Sequence, residues 1–315
     1  MPLLNESAKG VYVIAATPFT DNGAIDVASI DCAVDAYIAC GVHGITILGM
    51  MGEASKLSEE ESRLVVKRVL GRAGKVPVVV GVSNSGIDPL AQFSRFAMDQ
   101  GAAGVMIAPM SGLRTDEQIV NYFGKVCETM GRDIPVVLQD YPQSTNVYFS
   151  VPTVERIIDL HPHVVMFKHE DCPGLQKLTK LREGGDNGSH RRVSILVGNG
   201  GLYYPQEFAR GADGAMTGFA YPDMLVEVWK LFSAGQAAGG EDLFDLYLPL
   251  LRHEQQPGFG LALRKEILRR RGFIASSHVR APGPKLTATD LKELDRLMAR
   301  LDEKLKGRGL TTKVA

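Results

Sequence analysis

Short apolar runs and amphipathic stretches take turns along most of this chain. The runs at 11–16, 44–48, 76–82, 104–108, 134–138, 164–167, 194–197 and 213–217 have the length and continuity of strands buried on both faces. Helical periodicity fills the gaps, at 27–40, from Ser58 onward, and at 89–100, 115–130, 150–160, 175–182 and 205–210. Two helix starts are marked by capping-box pairs, Ser58 with Glu61 and Thr115 with Gln118. Strands alternating regularly with helices over about 220 residues predict an α/β fold, a (β/α)8 TIM barrel. A doubly wound open sheet is the alternative, but the glycine fingerprint it needs after the first strand is missing. Beyond Pro222 only helical patterns remain, at 225–234, 242–253, 259–271 and 289–306, with Gly239-Gly240, 255–258 and 281–284 between them. The expected organisation is a barrel over 10–224 and a C-terminal helical extension over 225–306.

The sixth run carries the most chemistry. It reads Val164-Val165-Met166-Phe167-Lys168-His169-Glu170-Asp171. Side chains two apart on a strand share a face, so Lys168 and Glu170 project together where the strand leaves the sheet. Desolvation in an apolar pocket pushes an amine toward its neutral form. A neutral amine attacks carbonyl carbon to form a Schiff base, and a carboxylate beside it moves protons. A strand-end ion pair, or a lysine that snorkels to solvent, fits the same residues.

Composition narrows the class. The 315 residues are 45% hydrophobic and 23% charged, with net charge −1, which gives no reason to expect nucleic acid or an anionic membrane as a partner. No basic-then-apolar leader opens the chain, and no uncharged apolar run reaches membrane-spanning length. The four cysteines form no CxxC pair, which points to a reducing, cytoplasmic setting and away from structural zinc. The histidines make no metal-ligand spacing, and His161-Pro162-His163 reads as a loop. No metal site is expected.

In a barrel of this kind the active site lies at the C-terminal strand ends. That rule selects Thr17, the segment Gly49 to Glu53, Gln139 to Tyr141, Lys168 with Glu170, Asn199, and Met216-Thr217. Gly49-Met50-Met51-Gly52 places successive amides ahead of a helix, an arrangement suited to an anion or simply to a tight turn. Gln139 and Asn199 are neutral donors for substrate hydroxyls or for rim bonding; Glu53 reads as a helix-start bond to backbone, and Tyr141 as pocket wall or subunit contact.

The pattern Gly49-x-x-Gly52-Glu53-Ala54-x-x-Leu57-Ser58-x-Glu60-Glu61 resembles the dihydrodipicolinate synthase / N-acetylneuraminate lyase family of class I aldolases and dehydratases. Gly198-Asn199, the segment from Gly211 to Thr217, and Arg280-Ala281-Pro282 before the last helix match in kind and spacing. The resemblance implies that Lys168 forms the imine and that the Met50 and Met51 amides hold the substrate carboxylate. By the same match Met216 faces the imine through its backbone, the substrate is a 2-keto acid, no metal or dissociable cofactor takes part, and the assembly is a homotetramer.

Departures from the family pattern refine this. Gln139 stands where the family has an acid/base tyrosine, Pro109-Met110-Ser111 replaces a Pro-Tyr-Tyr segment, Met50 and Met51 replace two threonines, and Ser144 replaces an arginine. These losses argue against dihydrodipicolinate synthesis and against ordinary retro-aldol cleavage. Glu170, where the family usually has a small residue, supplies a base near C3. The variants look like the sugar-acid dehydratase branch, in particular 2-keto-3-deoxy-L-arabonate dehydratase, which yields 2-oxoglutarate semialdehyde. A pyruvate-releasing aldolase and a non-catalytic 2-keto acid-binding protein are the alternatives.

Overall fold

The structure is a computed structural model that describes residues 2–312. Eight parallel strands close a barrel in sequence order: β1 (Gly10–Ile14), β2 (Gly44–Ile47), β3 (Val78–Gly81), β4 (Gly104–Ile107), β5 (Val136–Asp140), β6 (Val164–His169), β7 (Ser194–Val197) and β8 (Gly214–Thr217). The helices between them are α1 (Val27–Ala39), α2 (Glu59–Arg72), α3 (Ile87–Asp99), α4 (Asp116–Met130), the short α5 (Pro142–Thr145), α6 (Val151–Leu160), α7 (Leu175–Asn187) and α8 (Tyr204–Ala209). After β8 come α9 (Pro222–Ser233), α10 (Ala237–Glu254), α11 (Gly260–Arg270) and α12 (Ala288–Gly307). Both capping boxes form as the sequence predicts, each with its two reciprocal bonds.

Two hydrophobic clusters follow from the strand alternation. The larger lies between the barrel and its helices. The smaller fills the barrel interior with Tyr12, Ile14, Val79, Met106, Val137, Met166, Leu196 and Met216. Register decides which residues sit above this plug. Val164 pairs with Val136, but Met166 pairs with Val137, so Val165 is an extra residue in β6. Such a bulge re-aims everything after it, because a one-residue slip exchanges the two faces of a strand. Downstream of the bulge Met166 packs inside and Phe167 outside. Lys168 therefore returns to the interior, one layer above Met166, with Gln139 beside it on β5 and Leu196 on β7.

The structure departs from the sequence-based boundaries in instructive places. β5 runs on to Asp140 rather than stopping at Leu138, because both polar side chains find buried partners there, Gln139 in Glu170 and Asp140 in Lys177 of α7. The helix expected over 175–182 continues to Asn187, and Gly239-Gly240, read as a separator, lies inside α10. A side chain at Gly240 would come within 2.6 Å of the Phe232 ring, so this glycine lets two helices approach. The expected domain boundary at 224 falls within α9, whose Trp229 indole donates to the Asp213 carbonyl (3.1 Å) just ahead of β8.

The helical extension is fastened to the barrel mouth by buried ion pairs. Lys265 Nζ of α11 donates to Glu53 Oε1 (2.6 Å), while Glu53 Oε2 accepts from Lys56 Nζ (2.9 Å) and the Arg280 amide (3.0 Å). Glu53 is structural, as expected, but it clasps the C-terminal region; the α2 cap belongs to Ser58 and Glu61.

Candidate active site

Lys168 and Glu170 meet at the mouth of β6. Both are nearly sealed from solvent, 4% and 6% exposed, and Nζ lies 3.1 Å from Glu170 Oε2. The same carboxylate oxygen accepts from Gln139 Nε2 at 2.7 Å. The Glu170 backbone is held as firmly as its side chain. Its amide donates to the Asp140 carbonyl (2.9 Å), and its own carbonyl accepts from Asn199 Nδ2 (2.9 Å). With its amide turned to satisfy both partners, Gln143 of α5 adds a second donor to that carbonyl (3.0 Å). Behind the carboxylate sits Gly198, where a Cβ would fall 2.3 Å from Glu170 Cγ. Only a glycine there leaves room for this carboxylate.

The other acids near β6 point elsewhere. Asp140 and Asp171 both pair with Lys177 Nζ, at 2.8 and 2.6 Å. His169 faces outward, its ring stacked on Phe167 and its Nε2 3.0 Å from the Gly174 carbonyl. Among the described residues Lys168 has one carboxylate within ion-pair distance, and that carboxylate is oriented by the neutral amide of Gln139.

The remaining sequence-selected residues surround this pair. Met50–Gly52 form a single 3-10 turn, so the Met50 and Met51 amides open a turn in which the first N–H groups have no internal partner. The Met51 side chain packs on the interior cluster, whereas that of Met50 is 42% exposed. Thr17 Oγ1 donates to the Gly52 carbonyl (2.6 Å) and steadies the turn. Met216 is buried in the interior plug beside Tyr12. Gln139 and Asn199 come to the site, but their amide nitrogens are engaged by Glu170: Gln139 holds its carboxylate and Asn199 its backbone carbonyl. Tyr141 is half-buried; burial pushes its phenol above the ordinary value, the Glu170 charge adds to this, and Arg264 opposes it.

Sequence reasoning missed three buried charged groups here. Glu207 of α8 is buried; burial, and then the Glu170 charge, push its carboxyl up to about 8, so it stays protonated at neutral pH. Arg264 of α11 reaches the mouth and pairs with Glu254 of α10. In the sequence Glu207 and Arg264 sit in helical patterns and Glu254 just past the end of one, and no spacing sets them apart. Among the described residues no cluster of three or more His, Cys, Asp or Glu side chains could hold a metal ion. No helix of the described residues is long and apolar enough to cross a membrane.

Comparison with known proteins agrees with this architecture. The Dihydrodipicolinate synthetase family pattern matches residues 7–301. The chain belongs to this family. One relative is the L-2-keto-3-deoxyarabonate dehydratase of Azospirillum brasilense, 30% identical over 93% of this chain and 94% of the relative. Another is a 4-hydroxy-tetrahydrodipicolinate synthase of Sorangium cellulosum, 34% identical over 73% of this chain and 75% of the relative. Among solved structures, a dihydrodipicolinate synthase from Rhodopseudomonas palustris superposes with a TM-score of 0.94 at 48% identity, covering 95% of this chain and all of its own.

Proposed function

We propose that this family member is a lyase that dehydrates a 2-keto-3-deoxy sugar acid through an imine on Lys168, with 2-keto-3-deoxy-L-arabonate as substrate and 2-oxoglutarate semialdehyde as product. The observation that carries the reading is the Lys168–Glu170 contact of 3.1 Å, with the carboxylate aligned by Gln139. The Azospirillum brasilense relative, named for this dehydration and similar along 93% of the chain, supports it.

Glu170 accepts a proton from the amine, whose lone pair attacks C2 of the keto acid; Glu170 then returns that proton to the C2 hydroxyl, which leaves as water to give the protonated imine and an ionised Glu170. The imine acidifies C3, and Glu170 removes a C3 proton to leave an enamine. The enamine expels the C4 hydroxyl, which departs as water after taking the proton back from Glu170. A C5 proton then leaves, C3 is reprotonated, and the resulting C5 enol ketonises to the aldehyde. Water hydrolyses the imine and frees Lys168. The balance is one substrate to one semialdehyde and one water. Met50 and Met51 amides hold the carboxylate in this scheme. A cytoplasmic homotetramer completes the proposal, on the strength of the family resemblance.

The synthase name of the 48% identical structure makes dihydrodipicolinate-type synthesis the second reading. Product identification with L- and D-2-keto-3-deoxypentonates separates the possibilities. Semialdehyde without pyruvate is expected. Pyruvate with an aldehyde fragment would identify an aldolase, turnover only in a 4-hydroxy-tetrahydrodipicolinate synthase assay would identify a synthase, and binding without turnover would identify a sensor.

A further inference from the structure

Arg264 arrives at the barrel mouth from α11, outside the strand-end loops that supply the rest of the site. It is 4% exposed. Its Nε donates to Glu254 Oε1 on α10, and Glu254 Oε2 accepts from the Ala220 amide (3.1 Å) after β8. The opposite edge of the guanidinium is poorly used. Nη1 lies 2.7 Å from the thioether of Met51, and Nη2 lies 3.4 Å from Gln255 Oε1. A thioether is a weak acceptor, so a buried group with five strong donors keeps one edge under-bonded. That edge points between the ends of three strands. A Cβ on Gly218, which follows β8, would lie 2.9 Å from Nη1 and 3.0 Å from the Ile14 carbonyl of β1. Met51 belongs to the turn after β2 whose leading amides are unpaired within it.

We propose that Arg264 is a specificity-determining residue of this site. Its Nη edge binds the carboxylate of the incoming 2-oxo acid alongside the Met50 and Met51 amides, and the carboxylate takes the place of the Met51 sulfur. Charge-assisted bonds from a planar fork fit a carboxylate better than any other partner at this mouth. Glu254 holds the fork from behind, and only the Met51 sulfur and the long Gln255 contact occupy its front edge. The inference rests on the reading that Lys168 condenses with a 2-oxo acid.

The test compares a charged with a neutral carbonyl ligand. Arg264→Gln alone would strand the buried Glu254 carboxylate, so the main variant is Glu254→Gln/Arg264→Gln, with Glu254→Gln and Arg264→Lys beside it. Circular dichroism establishes that each is folded. Trapping by borohydride is then measured as a function of pyruvate and of hydroxyacetone, which lacks the carboxylate. In the double variant, half-saturating pyruvate should rise by about tenfold or more, as expected for loss of a charge-assisted pair. Half-saturating hydroxyacetone should stay within about twofold, Glu254→Gln should retain most of the pyruvate affinity, and Arg264→Lys should recover part of it. Equal shifts for both ligands would mean a structural role and overturn the proposal, as would no shift for pyruvate. If wild-type protein traps neither ligand, the imine reading fails instead. Calorimetric binding of pyruvate to Lys168→Met, with and without the double substitution, then decides on Arg264 by itself.

Discussion

Glu170→Gln separates the two jobs assigned to the Lys168–Glu170 pair. The substitution keeps the side-chain shape, which matters because Gly198 leaves no spare room behind Cγ. It also keeps an acceptor for the 2.7 Å bond from Gln139. What disappears is the negative charge and the ability to carry a proton between C3 and the C4 hydroxyl. General acid–base catalysis is worth roughly 10²–10⁴-fold, or about 3–5 kcal/mol of barrier. Dehydration kcat should fall by that factor. Lys168 remains, so borohydride should still trap a 2-keto acid on it. The assay is paired: semialdehyde production at saturating substrate, and mass spectrometry of the reduced adduct. Turnover within about threefold of wild type would remove Glu170 from the mechanism, since a general base cannot be worth so little. Loss of trapping together with turnover would move its role to imine formation.

Glu207→Gln should change how stability depends on pH. The native carboxyl titrates near 8 and an ordinary glutamate near 4.5. The folded state therefore binds more protons between these values, and stability from this group is complete below about 4.5 and lost as pH rises through 8. At roughly 1.4 kcal/mol per tenfold, the effect is at most about 5 kcal/mol. Urea unfolding at pH 5 and pH 8 should show wild type losing stability relative to the glutamine variant; parallel profiles would refute this. Gly198→Ala should push Glu170 off its position and cut kcat by about 10²-fold while leaving trapping intact, and a kcat equal to wild type would contradict the packing argument. Lys265→Met should leave the Glu53 carboxylate buried and partly unpaired, at a cost of about 3–5 kcal/mol by urea denaturation; a change below about 1 kcal/mol would show that the clasp contributes little.

The parts of this molecule that were legible in its sequence are those governed by local periodicity. Continuous apolar runs gave away the strands, and side-chain alternation along β6 put Lys168 and Glu170 on one face. Capping boxes gave two helix starts. The bulge at Val165 left no trace in composition, yet it sets which face Lys168 occupies. Gln139 and Asp140 read as loop because polar residues end apolar runs, but in a barrel mouth the strand continues past that point. Arg264, Glu254 and Glu207 were invisible for a related reason. A charge on a helix is normally solvated, and only the docking of α8, α10 and α11 on the mouth buries these three. The roles of Gln139 and Asn199 also needed coordinates: their partner is Glu170, which no spacing rule could supply.

The central claim is a covalent bond between one amine and a 2-keto acid. Hydride reduction of the protein with pyruvate, followed by peptide mass spectrometry, tests it most directly. A reduced pyruvyl adduct on Lys168, absent from Lys168→Met, is the predicted result; an unmodified Lys168 with every 2-keto acid tried would contradict it.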